Sequence, residues 1–200
     1  MTTTSPSRTR TRQAILDAAI DVLARNGSAS LGDIAVAARV GRTTLHRYFP
    51  DRAELLTAVM QETGQQLGDA ATRARLDEGP GLDALLRACQ ALLQLGDLLT
   101  LMFSEVVSIE SCGAELGFAQ ALDDACARGL ADGTLDARLT AGWIQGVLWS
   151  SLYLGWSELR EGSTPPHDVV SQLLLTVRKA IGAPDQSAGH RPGAVAPSIA

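Results

Sequence analysis

The chain has little of what most active sites and scaffolds need. Its 200 residues include three cysteines, Cys89, Cys112 and Cys126, and three histidines, His46, His167 and His190. The cysteines lack CxxC spacing, and their odd number argues against a disulfide framework, which fits a reducing cytoplasm. The thiols read as packed core groups, with a redox sensor as the alternative. The histidines show no ligand spacing with them, which argues against zinc. There is no GxSxG elbow, phosphate-binding loop or GxGxxG fingerprint. Glu110 beside Ser111 and Cys112 is too little for a nucleophile. No catalytic residue, metal or cofactor is expected, and the chain does not read as an enzyme.

Long apolar runs are also scarce. Leu139 to Ser157 carries no charge and is of borderline length for a membrane span. Gln145, the serines and three glycines dilute it, so a helix buried on more than one side explains it better. No signal peptide is expected, because the Arg-bearing N-terminus leads into an amphipathic pattern. A transit peptide is the weaker reading, since the helical pattern needs those residues.

What is present is a large apolar content, 46%, and a lopsided charge. The net charge is -5, yet residues 1–60 hold eight arginines against five acids, +3, while residues 61–200 hold nine bases against seventeen acids, -8. A basic end would dock on DNA and an acidic body would point away from it.

The basic end contains LGDIAVAARVGRTTLHRY, residues 31–48. It reads as two short helices joined by a tight turn, a helix-turn-helix. Residues 1–12 read as a basic, flexible arm with Arg8, Arg10 and Arg12. From about Thr11 to Asn26 a helix is expected, with Ile15, Ala18, Ala19, Val22 and Leu23 on one face and Gly27 as a left-handed cap. Ser30 is the N-cap of the next helix and Asp33 its box partner. Leu31, Ile34, Ala35 and Ala38 face inward and Val40 plugs the turn. The reading helix starts near Gly41, buries Leu45 and Phe49 and stops at Pro50. Asp51 caps a further helix.

The run ILDAAIDVLARNG…LGDIAVAARVGRTTLHRYFPDRAELLTAV resembles the DNA-binding domain of the tetracycline-repressor family of bacterial transcription regulators. Ile15, Ala18, Ala19, Leu23, Gly27, Ile34, Ala35, Ala38 and Val40 carry the likeness. So do Thr44, Leu45, Arg47, Tyr48, Phe49, Asp51, Leu55 and Leu56. The chain departs from the family pattern at Arg39, where a turn glycine is usual, at Gly41 in place of a Ser or Thr cap, and at His46 in place of a tyrosine. Arg52 stands for the common lysine. A positive φ at Arg39 would cost about 1 kcal/mol relative to glycine.

The resemblance implies an all-α fold of about nine helices. It divides into a helix-turn-helix domain over residues 11–60, with the motif at about 30–49, and an effector-binding and dimerisation body over 61–182. Residues 183–200 read as a disordered tail. The expected DNA-contacting residues are Arg12, Ser30, Arg42, Thr43, Thr44, His46, Arg47, Tyr48 and Arg52. Each single one is more suited to positioning on phosphate than to reading a base. The expected effector pocket holds Met102, Phe103, Phe118, Trp143, Trp149 and Tyr153, and their lack of charge points to a largely apolar small molecule.

In the body, Leu85, Leu86, Cys89, Leu92 and Leu93 read as one helix face and Leu98, Leu99, Met102, Phe103 and Val106 as the next. A further helix runs to a cap around Gly129. Gly142, Gly146 and Ser150 lie four apart, where another helix could approach closely. With Val170, Leu173, Leu174 and Val177 they form the expected dimer interface, the last two long helices pairing with a second subunit. The implied function is a cytoplasmic, ligand-responsive homodimeric repressor on a palindromic operator. The alternatives are an activator, or a small-molecule carrier or enzyme with a vestigial head.

Overall fold

A computed structural model describes residues 6–103 and 117–184. Among the described residues there are nine helices and no strand. They are α1 Pro6–Arg25, α2 Leu31–Ala37, α3 Arg42–Tyr48, α4 Arg52–Arg73, α5 Gly81–Leu93, α6 Gly96–Met102, α7 Phe118–Ala131, α8 Ala141–Glu161 and α9 Pro166–Ile181. The expected loop at Ser111–Gly113, Val106, Glu110, Cys112 and the tail 185–200 with His190 lie outside the described residues.

α1 begins five residues earlier than its apolar periodicity suggests. Pro6 occupies the first helical position, where its fixed φ and missing N–H cost nothing. Arg8 therefore sits on a helix and not on a free arm, together with Arg12, which the helix expected from Thr11 already included. Their anchors are aromatic: Arg8 Cζ lies 5.9 Å from the Tyr48 ring centroid, and Arg12 Cζ lies 5.5 Å from that of Phe49. An aliphatic period cannot register such contacts. The buried stripe is Ile15, Leu16, Ala19, Ile20 and Leu23. It is wider than the sequence suggested because α1 packs against α6 of the body as well as α2 and α4 of the head.

Gly27 is not a left-handed cap. Positive φ among the described glycines occurs at Gly79, Gly117, Gly133 and Gly162. After α1 the chain turns instead on Asn26, whose side-chain oxygen accepts the Ser28 N–H at 3.1 Å.

The body is held at its far end by polar side chains that close loops. Asp132 accepts the Gly81 N–H at 2.9 Å and the Thr134 hydroxyl accepts the Leu82 N–H at 3.1 Å, so the turn after α7 caps α5 in trans. Arg87 donates to the carbonyls of Ala74, Arg75 and Glu78 at 2.6–2.8 Å, fixing the connection from α4 to α5. Gly129 was expected to cap a helix and instead lies inside α7. A Cβ on Gly81 would fall 2.2 Å from Gly129 Cα, and one on Gly129 would fall 2.5 Å from Leu135 Cδ1. α5 and α7 touch backbone to backbone there, and only glycine fits.

α8 starts on Thr140, whose hydroxyl accepts the Trp143 N–H at 3.2 Å, and ends at Gly162 with φ 68°. α9 runs back along it. Gly155 lies at that contact: a Cβ there would stand 3.5 Å from Leu93 and 3.7 Å from Leu173 and Val169, ordinary packing distances. The small residues expected at the dimer interface lie away from this contact. A Cβ on Gly142 or Gly146 meets nothing within 4 Å. Among the described residues no helix is long and apolar enough to cross a membrane.

Candidate nucleic-acid interface and effector site

The helix-turn-helix is built from local hydrogen bonds. Ser30 and Asp33 form a full capping box: the Ser30 Oγ accepts the Asp33 N–H at 3.2 Å, and the Asp33 carboxylate accepts the Ser30 N–H at 2.9 Å. The Ser30 hydroxyl and N–H bonds, with a smaller help from the Arg42 charge, hold the Asp33 carboxyl below its ordinary range. Ser30, expected as a DNA contact, thus has its hydroxyl engaged within its own cap. The turn passes through Arg39 at φ 55°, the left-handed region, with Arg39 N–H donating to Val36 and Val40 N–H to Ala35. Gly41 begins α3 without a side-chain cap.

α3 buries Leu45 and turns the rest outward. Arg42, Thr43 and Arg47 are exposed, and Thr44 and Tyr48 are half-buried. Tyr48 is flanked by two cations, Arg8 at 5.9 Å and Arg47 at 5.6 Å. His46 is exposed, but its Nδ1 lies 3.1 Å from the Pro50 carbonyl oxygen, which ties it to the end of α3. Arg52 is placed differently from expectation. Its guanidinium donates to the carbonyls of Gly27 and Ala29, so it staples the start of α4 to the loop after α1. Those carbonyls lie in the connection between α1 and α2, outside either helix, and a fork of N–H donors satisfies two of them at once. Arg8 was read on a flexible arm, and two residues of α2, Gly32 and Val36, were not singled out at all. Val36 is 76% exposed on α2, off the inward face of Leu31, Ile34 and Ala35, a displacement the helical period does show.

The expected pocket residues separate into groups. Phe103 and Tyr153 meet edge to face at 5.1 Å and 88°. Trp156 completes a triad, 5.4 Å from Phe103 and 5.3 Å from Tyr153. Its Nε1 donates to the Thr100 hydroxyl of α6 at 2.8 Å, and Arg160 Cζ lies 5.1 Å from its ring centroid. Phe118 and Trp149 form a second pair at 6.4 Å. Met102 is a core residue, 4% exposed, and Trp143 stands outside both groups, 66% exposed. Trp156 shares a face with Tyr153 at a three-residue step; Thr100 and Arg160 left no mark in the sequence.

The dimer residues are corrected in part. Leu173 and Val177 are 4% and 0% exposed and face their own core; Val170 and Leu174 are half-buried. An amphipathic stripe points first at its own chain, which is why it misleads about a partner. The open residues are Gly142, Gly146 and Ser150, joined by Leu154 at 59% and Leu175 at 53% exposure.

Residues 15–59, the span of this head, match the family model described as bacterial regulatory proteins, tetR family. Over 184 residues the chain is 35% identical to the HTH-type transcriptional repressor LfrR of Mycolicibacterium smegmatis, covering 89% of this chain and 96% of that one. The chain belongs to the tetR family. It is a DNA-binding transcription regulator. A second relative, the repressor KstR of the same organism, is 30% identical over 192 residues, 91% of this chain and 92% of that protein. Two solved structures extend the likeness to the fold. LfrR in complex with proflavine has a TM-score of 0.63 at 34% identity, over 84% of this chain and 95% of that one. A tetR-family regulator from Marinobacter aquaeolei has a TM-score of 0.72 at 22% identity, over 90% of this chain and all of that one, and speaks for the fold alone. Nothing in these relatives supports the activator or carrier alternatives.

Proposed function

We propose that this tetR-family protein is a cytoplasmic, homodimeric repressor that holds a palindromic operator through α3 and leaves it when a flat aromatic effector enters the body. The observation that carries the DNA part is the outward surface of α3. Arg42, Thr43 and Arg47 are exposed, with Thr44 and Tyr48 half-buried at their edge. Short threonines let the backbone come close, and the arginines bind phosphate or guanine. A two-fold pairing through the open part of α8 and Leu175 of α9 would set two such helices about 34–36 Å apart or a multiple of it.

The effector part is supported by the Phe103–Tyr153–Trp156 triad. A planar guest exchanges one ring contact for another and loses little in doing so. LfrR has been crystallised with such a molecule, proflavine. The triad is tied to α6 through Trp156 and Thr100, and α6 packs on α1, which carries the head. A guest that displaces Trp156 would move α6 against α1 and unbalance the spacing of the two reading helices.

DNA selected from a fragment pool should bind with a slope of log K against log salt of about -5 for some six phosphate contacts. A binding constant flat with salt refutes the DNA part. Proflavine should quench the tryptophan fluorescence and release the DNA, and Trp156→Leu should abolish both while DNA binding persists. Release by proflavine that is unchanged in Trp156→Leu refutes the effector part.

A further inference from the structure

α2 and α3 meet at a glycine. Gly32 is the second residue of α2 and is half-buried. A Cβ built on it would lie 3.2 Å from Arg42 Nη2, 3.3 Å from Nε and 3.4 Å from Cζ. Three guanidinium atoms at nearly one distance mean that the Arg42 group presents its face to the bare backbone of Gly32. It occupies the space that a side chain at position 32 would fill. The neighbouring Asp33 carboxylate, tied down by Ser30, lies near enough to feel the Arg42 charge and adds attraction.

This position changes what Arg42 meets. In a helix-turn-helix the second helix lies in the major groove, and the residues of its first turn face base edges. The first helix crosses the phosphate backbone. Arg42 belongs to the first turn of α3. Folded back onto α2, its charge is carried away from the groove floor towards the duplex backbone.

We propose that Gly32 is a positioning residue for DNA recognition: its missing side chain seats the Arg42 guanidinium against α2, where it grips a phosphate and does not read a base. The inference rests on α3 being the reading helix. An alanine at 32 forces the guanidinium outward by a few tenths of an ångström, and a leucine evicts it. Glycine is also the poorest helix former after proline, so Gly32→Ala and Gly32→Leu should melt at or above the parent temperature. A loss of DNA binding in them is then not a loss of fold.

The probe is a set of duplexes that the parent protein selects from a random-sequence pool. Arg42→Ala should weaken all of them about equally, relax no base position, and make the salt slope shallower by about 1. Gly32→Leu should lose about tenfold in affinity with the same change of slope, as expected for one charge-assisted contact. Gly32→Ala should fall between it and the parent. In the Arg42→Ala background Gly32→Leu should cost less than about twofold, because the two changes remove one contact. The inference is overturned if Gly32→Leu binds like the parent, if the two losses multiply in the double variant, or if Arg42→Ala relaxes a single base position at unchanged slope. A parent that selects no duplex overturns the reading of α3 as well; a silent Gly32→Leu in a protein that selects DNA overturns this inference alone.

Discussion

Replacing Arg39 by glycine should raise the melting temperature of the protein, although it removes a cation from the face that meets DNA. Arg39 holds φ 55° at the turn between α2 and α3. The turn is pinned from both sides by the Arg39 N–H donating to Val36 at 3.1 Å and the Val40 N–H donating to Ala35 at 2.9 Å, so the backbone cannot relax out of it. In the left-handed region the Cβ of an L-residue crowds the following carbonyl at a cost of about 1–2 kcal/mol. Glycine escapes that cost but loses more backbone entropy on folding, about 0.5–1 kcal/mol. The difference is a net gain of about 0.5–1 kcal/mol, which in a chain of this size corresponds to about 2 °C in Tm. Thermal unfolding followed by circular dichroism reads it directly. Arg39→Ala is the control: it deletes the same charge and keeps the Cβ, so its Tm should stay at or below the parent value. Equal gains in the two variants would mean that the charge, and not the backbone, is strained. A lower Tm for Arg39→Gly would refute the argument altogether.

Other expectations follow from single contacts. Thr63 is 0% exposed on α4 with no partner for its hydroxyl among the described residues, so Thr63→Val should raise the denaturation midpoint by the equivalent of about 1 kcal/mol, and a lower midpoint would reveal a bond to the hydroxyl. Asp136 accepts hydrogen bonds from the Arg138 side chain and N–H, which bring its carboxyl from 3.8 down to about 2. A carboxyl lowered by folding contributes stability above pH 3.8 that is lost as the pH falls through about 2. The urea midpoints of the parent and Asp136→Asn should therefore differ by a constant amount near neutrality and converge towards pH 2. Burial pushes the Cys89 thiol up to about 12. In the native protein it should resist alkylation at neutral pH and react promptly in urea; rapid native labelling of Cys89 would show that α5 opens.

The head was the most legible part of the chain because its contacts are local. A capping box closes within four residues, Pro50 cannot continue α3 because it lacks the N–H the next helical bond needs, and Asp51 caps α4 through a bond to Glu54 at 2.9 Å. Periodicity located the helices of the body for the same reason. Its failures share a cause too. Arg52 was read by its charge, but two carbonyls more than twenty residues away claim it. Leu173 and Val177 were read as a dimer seam, and the core of their own chain claims them.

The amino-acid sequence by itself determined that this protein is a bundle of helices with a basic reading head. Those properties depend on intervals of three and four residues and on side chains that bond within one turn. Only the tertiary structure decided which faces those helices spend on their own core and which they leave open. Leu173 and Val177 went inward, while Gly142, Gly146 and Leu175 remained outside. It alone brought Phe103, Tyr153 and Trp156 together from two helices, tied them to α6, and set the Arg42 guanidinium on the bare backbone of Gly32. Such contacts join residues distant along the chain, and no local interval encodes a distance across the core.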